Sequence, residues 1–150
     1  MAHFITEEQF NGMLNLVIED GSFFQDYATQ WENQWVEKLF GYELWNRYQT
    51  NSGDPAMQDF QEECERLLKY FFYHDYSLEV ESFQSTVGSM ESDVENANRN
   101  RKSRNYKIVK LWNIGVEIYQ ESWDYLDSLG TYPELPDTAT DIERLNVFGI

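Results

Sequence analysis

The chain has 150 residues, one cysteine, two histidines and a formal net charge of −16, which is enough for one domain that buries roughly two thirds of its unfolded surface without metal or disulfides. A lone cysteine excludes an intrachain disulfide and suits a reducing compartment, and the acidity excludes nucleic-acid binding over most of the surface, because phosphate affinity comes from Lys and Arg releasing counterions. MAHFITEEQF lacks the basic region and apolar run of a secretory signal, and no stretch approaches the ~20 apolar residues of a membrane span, so we expect neither standard secretion nor membrane insertion.

Thr6-Glu7-Glu8-Gln9 reads as a capping box, with Gln9 placed to reach back to the cap. It predicts a first helix to about Ile18 with Phe10, Met13, Leu14 and Val17 inward. Asp20-Gly21-Ser22 breaks that helix, and Ser22 is suited to cap the next. In FFQDYATQWENQWVEKLFGYELW, from Phe23 to Trp45, the residues Phe24, Ala28, Trp31, Trp35 and Leu39 recur at steps of three and four, one helical stripe. Gly41 stands where a left-handed residue would end the helix, and Tyr42, Leu44, Trp45 and Tyr48 restart the apolar pattern, which makes a tight helical corner.

Asn51 to Asp54 is a polar loop, and Asp54-Pro55 is a cap followed by proline at the first helical position. A third helix is predicted from Pro55 to about Glu81, with Met57, Phe60, Cys64, Leu67, Phe71 and Leu78 on one side. Tyr70, Phe72, Tyr73 and Tyr76 widen the stripe, which marks the helix as central. Ser82 to Ser92 has no helical period and suggests an extended loop or short hairpin arm. Asp93 to Arg104 reads as a solvated start of the last helix, whose stripe is Ile108, Val109, Trp112, Val116, Tyr119, Trp123 and Leu126, with a stop at Gly130. The last twenty residues contain two prolines and little periodicity, a tail that needs docking to be ordered. The fold class is therefore all-α: a compact bundle of about four to five helices, residues 1–135, with one extended loop or arm and an extended tail, 136–150, docking on a neighbour.

Catalytic signatures are missing from the chain. His74 and Asp75 lie near Glu62, Glu63 and Glu65 on one predicted helix, but a carboxylate-bridged di-iron bundle needs Glu-x-x-His pairs, and none occurs. Cys64 sits on a core stripe without a cationic neighbour in register, and no P-loop, Rossmann or Gly-x-Ser-x-Gly pattern is present. We expect no enzymatic activity, no metal and no cofactor.

Charge is unevenly placed. Six of the eleven basic residues, Arg99, Arg101, Lys102, Arg104, Lys107 and Lys110, fall in a stretch without Asp or Glu, leaving five against 27 acidic residues elsewhere, a net of −22. This segment reads as a solvated helix start, as a contact to DNA phosphates or, better suited to so acidic a protein, as a surface that meets the acidic face of an adjacent copy or partner. Only Tyr106 interrupts it, a poor fit to a base-stacking platform. Ten Phe, ten Tyr and five Trp are more than a modest bundle needs, so part of the set is expected at an interface.

Together these features resemble the small helical head–tail connector proteins (adaptor or head-completion proteins) of tailed bacteriophages, as in phages of gut Bacteroidetes, including ring proteins of the crAss-like group. The residues that carry the resemblance begin with Trp35-Val36-Glu37-Lys38-Leu39-Phe40-Gly41-Tyr42-Glu43-Leu44, similar to that family's aromatic, leucine, two variable residues, leucine-leucine-glycine corner. The aromatic helix Leu67 to Tyr76 follows, then Ser85-Thr86-Val87-Gly88, similar to a Thr-x-Gly loop, and the polar stretch Glu95 to Arg104. Trp112-Asn113 leads on to Tyr125-Leu126 and the Tyr132-Pro133 turn. The likeness spans about residues 4 to 135; Phe40, where the family often has leucine, and the tail after Pro136 depart from it.

The resemblance implies a structural virion protein of the phage neck, assembled in the host cytoplasm. It would form a ring of roughly twelve copies beneath the portal, join capsid to tail and line the DNA channel. The implied partners are further copies of the chain, the portal protein, other neck or tail proteins, and DNA passing without specific binding. An acidic body suits such a lumen, since like charges repel. We place the subunit or portal contacts at Phe83, Thr86, Val87, Gly88 and Met90 of the arm, at the six basic residues, and at Val147, Phe148 and Ile150 of the tail, which has the apolar residues to add a strand to a neighbour. Trp31, Trp35, Leu39, Gly41 and Leu44 form the helix-corner core. The alternative is a small acidic DNA-mimic inhibitor of a nucleic-acid-binding protein, which has little use for an arginine-rich segment.

Overall fold

The computed structural model describes residues 2–16, 18–86 and 94–146, with backbone alone for residues 13, 81–86 and 94–105. Four α-helices account for most of it: α1 (Gly21–Phe40), α2 (Tyr42–Thr50), α3 (Gln58–Thr86) and α4 (Val94–Leu129). No strand occurs among the described residues, and no helix is long and apolar enough to cross a membrane.

The segment expected as a first α-helix is instead two 3₁₀ turns, Glu7–Phe10 and Gly12–Leu14. Half of the predicted capping box is present, with Thr6 N–H donating to Gln9 Oε1 at 3.1 Å. Two features divert the chain from α-helix. Gly12 takes φ +86°, and Glu32 of α1 accepts the N–H groups of His3, Phe4 and Ile5 at 2.7, 2.7 and 3.2 Å. Glu32 is buried; burial pushes its carboxyl above the ordinary value, against the opposing pull of those three donors. Phe10 and Leu14 are buried as expected, whereas Val17 and the Met13 side chain lie outside the described residues.

Asp20, not Ser22, caps α1: its Oδ1 accepts from Ser22 N and Phe23 N at 2.9 and 3.1 Å. The stripe Phe24, Ala28, Trp31, Leu39 is buried, and Trp35 is half-buried. Gly41 ends α1 with φ +90° and ψ 154°, a mirror-extended conformation open essentially to glycine alone rather than the left-handed helical one. Its N–H donates to Glu37 O while its carbonyl accepts from Trp45 N, so the corner between α1 and α2 closes on one residue. Tyr42, just past that corner, is exposed.

Asp54 caps the next turn through Ala56 N at 2.9 Å, and Pro55 opens it, as the sequence implied. α3 is the central helix, with Phe60, Cys64, Leu67, Leu68, Phe71 and Phe72 fully buried. Two expectations for it fail. Leu78, on the predicted stripe, is 46% exposed, and Ser82 to Thr86, predicted as the start of a loop or hairpin arm, continues the helix. Once nucleated, a helix adds one hydrogen bond per residue, and here it runs beside α4. Contacts Asp59–Tyr125, Glu63–Ser122, His74–Trp112 and Tyr73–Lys107 step up α3 and down α4, so the pair is an antiparallel hairpin. The two helices pack tightly at Gly115, where a Cβ would come within 3.1 Å of Phe71 and Tyr70.

The aromatic residues pack mainly on one another. Trp35 stacks between Trp31 and Phe71 at 5.4 and 5.1 Å, with Trp112 edge-on at 5.6 Å. Trp31 Nε1 donates to Asp75 Oδ2 at 2.7 Å. Trp31, Trp45 and Trp123 are buried. The expectation that part of this set lies at an interface is therefore corrected for Trp31, Trp45 and Trp123, whose rings are buried in the chain's own core, whereas Trp35 and Trp112 are half-buried.

Candidate assembly surface

Charge is separated along α4, whereas α3 is acidic at both ends, with Asp75 half-buried and Glu79 exposed at the level of the basic stretch. At one end, α4 carries the basic stretch: Lys110 is exposed, and Lys107 lies over the Tyr73 ring at 5.3 Å. The backbones of Arg99, Arg101, Lys102 and Arg104 lie in α4, and their side chains are outside the described residues. At the other end, Glu62 on α3 and Glu121, Asp124 and Asp127 on α4 are exposed, and Asp59 and Glu63 are half-buried. Of the cations nearby, Arg66 pairs with Glu63 at 3.1 Å. Lys110 and Asp127 are separated by roughly 25 Å at 1.5 Å per helical residue. Large apolar side chains are exposed at both ends: Leu78 and Tyr106 beside the basic stretch, Tyr125 and Leu129 among the acids.

The tail to Asn146 lies along its own chain, held largely by side-chain contacts, and its last four residues, 147–150, are outside the described residues. Tyr132 is buried; its hydroxyl accepts from Phe60 N at 3.1 Å and donates to Ala56 O at 2.7 Å. Arg47 donates to Thr131 O and pairs with Glu134 at 3.1 Å. Further along, Tyr119 Oη accepts from Thr140 N at 3.0 Å and donates to Leu39 O at 2.6 Å. The Asn113 amide makes two bonds to Leu145, from Nδ2 to its carbonyl at 2.9 Å and to Oδ1 from its N–H at 2.8 Å. The tail thus runs back along α4, antiparallel to it.

Of the predicted corner residues, Trp31, Leu39 and Leu44 are buried, Trp35 is half-buried, and Gly41 closes the turn between α1 and α2. Phe83 and Thr86 belong to α3 by their backbone, not to a loop, and Val87, Gly88, Met90, Val147, Phe148 and Ile150 lie outside the described residues. The sequence reading missed Asn113, Tyr119 and Glu32 as fastening residues; a polar side chain inside an apolar stripe, as Asn113 is beside Trp112, was the available signal.

His74 Nδ1 and Asp75 Oδ1 are 2.8 Å apart. Glu63 is occupied by Ser122 and Arg66, and Gln58 and Gln61 donate to Glu62 and Glu65. Among the described residues no three His, Cys, Asp or Glu side chains are grouped to hold a metal ion. Burial pushes the Cys64 thiol well above its ordinary value, and Glu32, Glu63 and Glu65 push it the same way, the opposite of a nucleophile's setting. Comparison with known proteins yields no matching family model, curated protein or solved structure.

Proposed function

We propose that the chain is a structural assembly subunit, a connector that forms the neck ring of a tailed-phage particle by head-to-tail contact between copies. The observation that carries this is the charge separation along α4, from the basic stretch at residues 99–110 to Glu121, Asp124 and Asp127. A ring needs two different complementary faces per subunit, and the basic stretch and the acidic end of this one helix supply them. Opposite potentials set docking orientation and register, while Leu78 and Tyr106 at one end and Tyr125 and Leu129 at the other add apolar area within each charged rim. In this reading the remaining acidic surface faces the channel and repels passing DNA. The resemblance of the helix corner and aromatic helix to phage connectors supports the same assignment.

Charge exchange tests it. Sedimentation velocity at low salt should show association that weakens at high salt. Arg101→Glu with Lys110→Glu should abolish it, Glu121→Lys with Asp124→Lys should abolish it, and mixing the two variants should restore mixed pairs. A chain that stays monomeric at every salt concentration, alone and with portal protein, overturns the reading. The DNA-mimic alternative uses only the acidic end, so the basic-end variant would leave its inhibition unchanged. Placement in the neck is tested by locating the protein in purified particles by electron microscopy.

A further inference from the structure

The tail is fastened in two separate places. Residues 131–135 are held by Tyr132 and Arg47, and residues 139–146 by α1 and α4. Between the two lie Pro136, Asp137 and Thr138, all exposed. Pro136 crosses the α1–α2 corner so closely that a Cβ on Gly41 would meet its Cγ at 3.3 Å.

Beyond this three-residue link the receiving helices read the tail largely by its backbone. Trp112 Nε1 donates to Glu143 O at 2.9 Å, Tyr119 Oη accepts from Thr140 N, and the Asn113 amide closes a two-point contact on Leu145. Thr140 Oγ1 donates to Lys38 O at 2.6 Å. Ala139 and Ile142 pack against the core, and Arg144 pairs with Glu117. The surface along the end of α1 and α4 is thus a groove built for an extended peptide, already occupied by one.

We infer that this groove exchanges straps: in the associated protein it receives residues 139–146 of a second copy. The contacts are the same whichever copy supplies the strap, so the link decides between closed and exchanged forms. The three-residue link is exposed throughout, so it can open outward without uncovering the core. Arg144 is the strap's cation and its partner Glu117 stands on α4 toward the acidic end, so the exchange would tie one copy's tail to its neighbour's acidic end. The inference needs only that copies meet, and so stands apart from the neck assignment.

The test uses two full-length chains, one Glu117→Cys and one Arg144→Cys, mixed, equilibrated and treated with a short bis-maleimide. Cys64 is buried and stays silent. Since neither chain holds both new thiols, a crosslinked pair of unlike chains reports a strap seated in trans. We expect that product, and we expect Asn113→Ala to lower its yield about tenfold when carried by the Glu117→Cys chain and to raise it when carried by the Arg144→Cys chain, whose strap it loosens from its own groove. Tyr119→Phe on the receiving chain, which keeps the buried ring, should act in the same direction. No unlike pair above the single-chain controls, or a yield indifferent to which chain carries the substitution, overturns the exchange. Salt-sensitive association without the crosslink rejects the exchange alone; the crosslink without salt-sensitive association rejects only the charge-driven ring.

Discussion

Gly41→Ala tests the geometry of the corner between α1 and α2. At φ +90° and ψ 154° an L-residue sits in a region that is essentially glycine's, at about 1–3 kcal/mol of backbone strain. The new Cβ also meets Pro136 Cγ at 3.3 Å, a contact that the exposed proline can relieve by a small shift. Against this, alanine restricts the unfolded chain and returns about 0.4–1 kcal/mol. The net is a loss of about 1 kcal/mol, which for a chain of this length lowers Tm by roughly 2–4 °C. The assay is thermal unfolding followed by circular dichroism, with Gly53→Ala as control. Gly53 has no positive φ and nothing within 4 Å of its would-be Cβ, so its substitution should be neutral or stabilising. Adding Pro136→Ala to Gly41→Ala separates the two contributions: strain predicts that most of the loss remains. A Gly41→Ala chain within about 0.5 kcal/mol of the parent refutes the strain argument, and full rescue by Pro136→Ala would assign the loss to the contact instead.

Glu32→Ala removes the acceptor of three backbone N–H groups, two of them on Phe4 and Ile5, which are 1% exposed. Orphaned buried donors cost about 1–3 kcal/mol each, so denaturant unfolding should show a loss of about 3–5 kcal/mol, with faster amide exchange at Phe4 and Ile5. Burial is the leading cause that raises Tyr27, Tyr48, Tyr76, Tyr119 and Tyr132 above the usual phenol value. The folded chain then keeps protons that the unfolded chain sheds near pH ~10. Their contribution is complete below that pH and is lost as pH rises through the folded values, so alkali should unfold the protein. Absorbance at the phenolate band should show these five tyrosines ionising together with loss of helicity; their ionisation near pH ~10 with helicity retained would contradict it.

What the sequence made legible was the part decided by neighbours within one turn. The spacing of Phe24, Ala28, Trp31 and Leu39, the glycine stop at 41 and the Asp54-Pro55 cap all appear where local rules place them. The first helix was not legible, because what overrides its capping box is Glu32, a residue 27 to 29 positions away that reads as a polar neighbour of Trp31. Leu78 keeps the α3 period yet stays exposed: α1 begins at Gly21, and the rings at its start, Phe23 and Phe24, reach only as far along α3 as Tyr76. The tail's need for a dock was legible from its prolines and weak periodicity, but its partner was not, since no spacing distinguishes a groove on the same chain from one on another copy.

The two ends of the chain are fastened by the same device. Neither the N-terminal turns nor the C-terminal strap joins a sheet or a long helix, so their backbone groups need partners from elsewhere. Glu32 supplies them at one end, and Asn113, Trp112 and Tyr119 at the other. The two fastenings differ in burial. Glu32 acts beneath Phe4 and Ile5, sealed by apolar rings, whereas much of the strap's side-chain surface is in water. Hydrogen bonds shielded from water are harder to open than exposed ones, so the N-terminal segment opens with the core while the strap opens by itself. That difference makes the strap, and not the N-terminus, the segment free to change partners without unfolding the bundle that carries it.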